Sequence, residues 1–270
     1  MDYVIEILKF IVLGIVQGIT EIFPVSSSGH LTLFSHVFRM NLDQLNVFLM
    51  LTNTGSFLAL FYFFRKDIVS LAKGTYGYLV KREEHQKEDF HEAIKLVIAV
   101  VPVGVFGVLV RHVLPKDLLF VGFMLLITSG ILYYIYRQSV AHYRNEITFK
   151  NALIIGIFQM FAIFYGISRS GITIAGGLIQ KINLKKVLRF SFLSYILISI
   201  PVSILGFVDA FNAPEDSINM VGYMLAFVLS FIFSLWAVHW LYHYVKVKNL
   251  VYFSGYCLVV AIVAIVLHFL

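Results

Sequence analysis

Apolar residues along this chain come in blocks of about twenty separated by short polar loops. That spacing matches an α-helix crossing ~30 Å of hydrocarbon at ~1.5 Å per residue. Such blocks lie at about 46–64, 93–113, 118–137, 187–208, 219–241 and 249–269, and they predict six full transmembrane helices. Two further apolar regions, 4–38 and 150–180, are each interrupted in the middle by glycine, serine and charge, as PVSSSGH and YGISRSG. Non-helical backbone at membrane depth is tolerated only where it is buried in protein or lines a polar cavity, so each region predicts a broken or re-entrant helix pair. The fold class expected is therefore an all-α polytopic membrane protein, one integral domain over 1–270. The first apolar stretch lacks the basic region and small-residue cleavage site of a signal peptide and is expected to stay in the mature chain.

The two broken segments resemble each other. Aligning Gly14–Leu31 with Gly156–Thr173 at a constant offset (159 − 17 = 142) gives six identities in eighteen positions, with Gln17, Ser26, Ser28 and Gly29 matching Gln159, Ser168, Ser170 and Gly171. Chance likeness of two Gly/Ser-rich apolar stretches is one explanation. The other is an inverted-topology repeat, 1–140 and 150–270, whose interrupted helices meet near the midplane to build one polar site. Pro102 with Gly107 and Pro201 with Gly206 do not keep the offset and read as ordinary helix-kink chemistry.

Composition closes off other classes. The 270 residues are 60% hydrophobic and 13% charged, against roughly a quarter charged in a globular domain, and the mean hydropathy is +0.87. The net charge of +6 does not point to nucleic acid, because the basic residues sit in loops: six in 65–92, three in 137–150 and four in 181–189. Those loops are expected on the cytoplasmic side of a plasma membrane. The loop Asp209–Asn219, with Asp209, Glu215 and Asp216 and no Lys or Arg, is expected outside, and alternation then puts both termini outside. The stretch Lys81–Glu92 mixes both charges and reads as a solvated segment. The lone Cys257 excludes an internal disulfide and reads as packing. Trp236 and Trp240 fit an interfacial belt, and His239 and His268 packing or interface positions.

Chemistry concentrates in the two interruptions. Gln17 and Glu21 share a helix face, with Ser26, Ser27, Ser28 and His30 just beyond Pro24. An ionised group near the bilayer centre costs about 2.5–3.5 kcal/mol even on the gentler scale, so Glu21 marks a functional site unless it is interfacial or protonated. The second segment supplies Arg169 between Ser168 and Ser170, followed by Gly171 and Thr173. A planar fork of donors and glycines that expose backbone N–H groups describe a phosphate clamp. The plainer reading is that Arg169 neutralises Glu21, and both roles are compatible.

QGITEIFPVSSSGHL resembles the (E/Q)xxxE plus PxSSSGH region of the undecaprenyl-diphosphatase (BacA/UppP) family, and YGISRSGIT is similar to that family's PGxSRSGxT motif. The likeness covers essentially the whole chain and is sharp in those two motifs. It implies hydrolysis of undecaprenyl diphosphate to undecaprenyl phosphate and inorganic phosphate, recycling of the cell-wall lipid carrier, resistance to bacitracin, and dependence on a divalent cation, Mg²⁺ or Ca²⁺. Ser27 is then the nucleophile with His30 as its base, or a metal-bound water attacks directly. Arg169 holds the diphosphate with Ser168, Ser170, Gly171 and Thr173 and with Gln17, Ser26 and Ser28 of the first motif, and Glu21 with Gln17 holds the cation or positions a water. Three departures stand out: Tyr165 replaces the proline opening the second motif, Asn53–Ala59 reads NTGSFLA where the family has a QxGxxxA-like segment, and Gln17 is an amide where many relatives carry glutamate. The rival from another class is a polyprenyl-phosphate transporter or flippase using the same headgroup site. The oligomeric state stays open, with a homodimer as one option.

Overall fold

The computed structural model describes residues 2–40, 42–110, 114–138, 143–211 and 219–270, with side chains at 3–40, 48–110, 114–138, 143–204 and 219–270. Short 3₁₀ turns aside, regular structure in the described residues consists of helices α1 (Asp2–Ile22), α2 (Ser27–Val37), α3 (Leu42–Phe63), α4 (Arg65–Lys81), α5 (Lys87–Val110), α6 (Leu118–Arg137), α7 (Phe149–Met160), α8 (Arg169–Ile179), α9 (Leu184–Phe211), α10 (Met220–Tyr244) and α11 (Leu250–His268). Strand-like pairing among these residues is limited to one isolated bridge between Arg144 and Ile182. The protein is an all-α polytopic membrane protein.

Among the described residues, six helices are long and apolar enough to cross a membrane: α1, α5, α6, α9, α10 and α11. The sixth span expected from the sequence, 46–64, is covered by α3 with 22 residues. The two broken regions differ in build. The first is a 21-residue helix, α1, followed by an 11-residue return helix, α2. The second is two short helices, α7 of 12 residues and α8 of 11. Gln17 and Glu21 do not interrupt α1, because a polar side chain leaves the backbone ladder intact; Pro24, which has no N–H to continue it, marks the turn.

One expectation is corrected. The segment 65–92 is not a continuous loop, since α4 fills most of it and folds back along α5, with Gly74 against Asp89 and Gly77 against Gln86. The helical spacing of Ile68, Leu71, Ala72 and Thr75 was masked by the basic residues among them. The turn at 82–86 beyond α4 is largely exposed, as a solvated segment should be. Arg189 on α9 ties this hairpin down, pairing with Asp67 of α4 at 2.6 Å and with Glu92 of α5. Cys257 is buried, and Trp236 is exposed on α10. Glu215 and Asp216, on which the outside assignment of their loop rests, lie outside the described residues, as do positions 111–113 of the expected 93–113 span.

Helix contacts rely on small residues, as expected where lipid offers no hydrophobic contrast. α1 packs along α10 and α7 along α5. A Cβ on Gly14 would come within 2.6 Å of the Ala226 Cα, and one on Gly156 within 2.6 Å of the Ala99 carbonyl oxygen. These two glycines are 142 apart (156 − 14 = 142), the offset of the motif alignment. Buried hydroxyls add links between helices: Ser230 donates to the Thr52 carbonyl and Ser234 to the Gly18 carbonyl, both at 2.9 Å.

These contacts make a stability prediction. Gly14→Ala and Gly156→Ala should each cost about 1–3 kcal/mol, the usual cost of overpacking, whereas Gly130→Ala, with no atom within 4 Å of its Cβ position, should cost nothing. Thermal unfolding of the three variants in one detergent measures the difference.

Candidate functional site

The tips of the two broken segments meet. Ser170 donates its hydroxyl to the Phe23 carbonyl at 3.1 Å, and the Gly166 N–H donates to Ser28 Oγ at 3.4 Å. Pro24 and Gly171 approach so closely that a Cβ on the glycine would sit 3.4 Å from the proline Cβ. Each return helix is capped in the same way. Ser26 Oγ accepts the Gly29 N–H, and Ser168 Oγ accepts the Gly171 N–H, again 142 residues apart (168 − 26 = 142). Ser27 is consequently the first residue of α2 and Arg169 the first residue of α8, at matching positions of the two motifs.

Both of those first residues converge on one carboxylate. Ser27 donates to Glu21 Oε2 at 2.5 Å, and Arg169 Nη2 donates to Glu21 Oε1 at 2.8 Å. Gln17 Nε2 also donates to Glu21 Oε2, at 3.0 Å, and to Asn53 Oδ1 at 2.6 Å. The Arg169 guanidinium lies 4.0 Å above the centroid of the Tyr195 ring, a cation–π contact that fixes its plane. Around this cluster is a cavity of ≈180 Å³ whose walls include Gln17, Glu21, Ser26, Ser27, Ser28, Asn53, Ser168 and Arg169. Two helix N-termini, each a partial positive charge with unsatisfied N–H groups, flank the cavity together with a guanidinium, which is an arrangement for an anion. Asn53 is midway along the 22-residue α3 (53 − 42 = 11), so the cavity lies deep in the bundle.

His30 is elsewhere. It is buried, it does not line the cavity, and its Nδ1 lies 2.7 Å from the Ser26 carbonyl oxygen while Nε2 lies 2.9 Å from the Tyr256 hydroxyl. A carbonyl only accepts, so Nδ1 carries the proton and the neutral Nε2 accepts from Tyr256. The group hydrogen-bonded to the Ser27 hydroxyl is the Glu21 carboxylate. Ser26 has φ 71° and ψ 95°, the left-handed side for a residue with a side chain, and the His30 ring holds the carbonyl of this turn from one side. Ser170, Gly171 and Thr173 lie at the hairpin rather than on the cavity wall. Thr173 is fully buried, hydrogen-bonded to the Arg169 carbonyl at 2.8 Å and to the Ser191 hydroxyl at 2.5 Å.

Four participants were not singled out from sequence for the positions they occupy. Asn53 had a signal, the polar run Thr52–Asn53–Thr54–Gly55–Ser56 inside an apolar span. Tyr195, Tyr256 and Thr128 had none. Thr128 on α6 accepts the Ser168 N–H at 3.2 Å and donates to the Gly166 carbonyl at 2.9 Å, bracing the second turn.

Fold and site together define a polytopic membrane protein with a polar cavity where the tips of two broken helical segments meet. The profile of the family described as bacitracin resistance protein BacA matches residues 10–263, and the chain belongs to that family. It is 50% identical to an undecaprenyl-diphosphatase of Acholeplasma laidlawii over 99% of both chains. It is 36% identical to undecaprenyl-diphosphatase 1 of Bacillus cereus and to undecaprenyl-diphosphatase 3 of Bacillus anthracis, in each case over 98% of this chain and 99% of the relative.

The ion pair at the centre has a measurable coupling. Glu21 has a side chain only 5% exposed, so Arg169→Met should destabilise by about 3–5 kcal/mol by leaving a buried charge unpaired. Adding Glu21→Gln should recover most of that loss. Denaturant unfolding of the wild type, both single variants and the double variant gives the value.

Proposed function

We propose that this protein hydrolyses undecaprenyl diphosphate to undecaprenyl phosphate and inorganic phosphate in the bacterial plasma membrane, recycling a cell-wall lipid carrier and conferring bacitracin resistance. The observation that carries the reading is the convergence of Ser27 and Arg169, the first residues of two helices, on the two oxygens of Glu21. The names of the relatives, all diphosphatases, agree with it.

In this mechanism the terminal phosphate sits between the N-termini of α2 and α8, with the Arg169 fork on its oxygens. Ser27 Oγ attacks the terminal phosphorus while its proton passes to Glu21, and the bond from that phosphorus to the bridging oxygen breaks, so polyprenyl monophosphate leaves. Glu21 gives that proton to the departing monophosphate oxygen; the freed carboxylate then takes a proton from the water that attacks the phosphoserine and returns it to Ser27 Oγ as the serine–phosphorus bond breaks, releasing inorganic phosphate. His30 donates to the Ser26 carbonyl and thereby holds the direction of Ser27; it transfers no proton in the reaction. A headgroup carrier would have no use for a serine donating to a buried carboxylate, and this favours hydrolysis over transport.

A divalent cation belongs to the proposal. Glu21 and Gln17 are the residues that would hold Mg²⁺ or Ca²⁺, and they fit a site with one carboxylate. Gln17 Oε1 is buried with no hydrogen-bond partner, and Mg²⁺ commonly takes one or two carboxylates and completes its shell with substrate phosphates and water. No group of three or more His, Cys, Asp or Glu that could hold a metal ion is found among the described residues. When bound, the cation supplies neutralisation of the phosphate oxygens. The proposed orientation keeps the end bearing Arg65, Lys150 and Lys181 in the cytoplasm.

The test is phosphate release from undecaprenyl diphosphate in detergent, with and without chelator. Turnover should fall with chelator and return with Mg²⁺ or Ca²⁺. Ser27→Ala should abolish turnover, and Glu21→Gln should lower kcat by a factor on the order of 10²–10⁴. Lipid phosphate moved across vesicles without phosphate release would instead make the protein a carrier. The His30 assignment has its own check: His30→Asn, whose amide can still donate to Ser26, should keep far more activity than His30→Ala. Equal loss in both variants would restore His30 as the proton carrier.

A further inference from the structure

The walls of the Glu21 cavity are not uniform. Gln17, Glu21, Asn53 and Arg169 make one side polar, while Ala162, Ile163, Tyr165 and Ile167 close another. Ile167 is shared with a second opening, a groove of ≈520 Å³ bounded by α6, α7 and the linker before α8, whose ten lining residues are all Phe, Ile or Met. Its α6 wall runs from Phe120 to Ile131, 11 residues (131 − 120) or about 16 Å of helix. Ile127 is 46% exposed and Ile157 44% exposed, so the groove is open on its outer side.

We propose that this groove holds the first isoprene units of the lipid substrate, a role that rests on the diphosphatase reading above. The phosphate ester oxygen is bonded directly to the first isoprene carbon, so the chain must leave the polar cavity at once. Running it past Gln17 or Glu21 would strip water from those groups without satisfying them. The apolar residues Leu31 and Leu49 offer no exit, because they lead into a filled cluster with Phe10, Leu13 and Phe48 fully buried. A second apolar groove, ≈500 Å³ between α3, α4, α5 and α9, shares no residue with the cavity. Ile167 is the point where an apolar wall, a polar cavity and the residue pair Ser168–Arg169 adjoin. The linker alternates accordingly, with Tyr165 on the cavity side and Phe164 on the groove side.

The experiment compares a long polyprenyl diphosphate with isopentenyl diphosphate, which has one isoprene unit, on Ile127→Trp and on Ile200→Trp, a matched filling of the other groove. Ile127→Trp should raise KM for the long substrate roughly tenfold or more, the scale on which apolar pockets discriminate, with KM for isopentenyl diphosphate raised far less and both kcat values unchanged. Ile200→Trp should change neither. An unchanged ratio in Ile127→Trp, or the same shift in Ile200→Trp, overturns the proposal and leaves the groove to bulk lipid. Should Ile127→Trp not fold, the native protein is photolabelled with a benzophenone-bearing farnesyl diphosphate. Adducts in 120–131 or 157–167 support the groove, and adducts confined to 61–80 or 193–200 refute it. Labelling does not depend on turnover, so a protein labelled in the groove that releases no phosphate separates failure of the diphosphatase reading from failure of this one.

Discussion

The carboxylate of Glu21 accepts hydrogen bonds from three directions, and each comes from a different part of the chain. Gln17 belongs to its own helix, Ser27 to the return helix behind Pro24, and Arg169 to a motif 148 residues away (169 − 21). A charge this deep is tolerable only if it is paired and hydrogen-bonded. The requirement therefore acts on the whole fold: both broken segments must reach the same depth, and the helices that carry them must approach closely enough to bring them there. Gly14 on Ala226 and Gly156 on Ala99 supply that approach. Removing the carboxylate would leave α2 and α8 without a common partner at their first residues.

The two motifs divide their labour at one position. Capping serine, second serine and glycine recur at the same offset, and both caps make the same hydrogen bond to the glycine N–H. What differs is the residue just after the cap, Ser27 in one and Arg169 in the other. A pair of helix N-termini beside one cavity favours an anion through its N–H groups. A hydroxyl at the first position of one helix and a guanidinium at the first position of the other then face the same carboxylate.

Much of this was legible in the sequence because bilayer constraints are severe. Blocks of twenty apolar residues located the spans, and a glycine–serine interruption with charge at membrane depth located the site. Less legible was everything that depends on direction rather than identity. His30 lies three residues after Ser27 in a serine-rich run, and proximity suggested a base. The helix turns its ring away to the Ser26 carbonyl and to Tyr256, whose position on α11, 226 residues away, no local pattern reveals. Tyr195 is one of several aromatics on a buried helix until the Arg169 guanidinium is seen above it. The α4 hairpin was hidden for a different reason, since counting basic residues for topology says nothing about the helical spacing between them.

The depth of the cavity follows from its substrate class. Each methylene moved from lipid into water costs about 0.8 kcal/mol, so a long polyprenyl chain cannot be drawn into an aqueous pocket of the kind soluble phosphatases use. The headgroup has to come to the protein while the chain stays in the bilayer. A polar cavity enclosed by the helices, with one apolar wall bordering a groove open on its outer side, allows that without exposing either part to the wrong solvent. The same geometry explains why the second tip is the less polar of the two. The first lines the cavity with Gln17, Thr20, Glu21 and Ser26–Ser28, whereas the linker Phe161–Ile167 has Ser168 and Arg169 at its end and apolar side chains along its length.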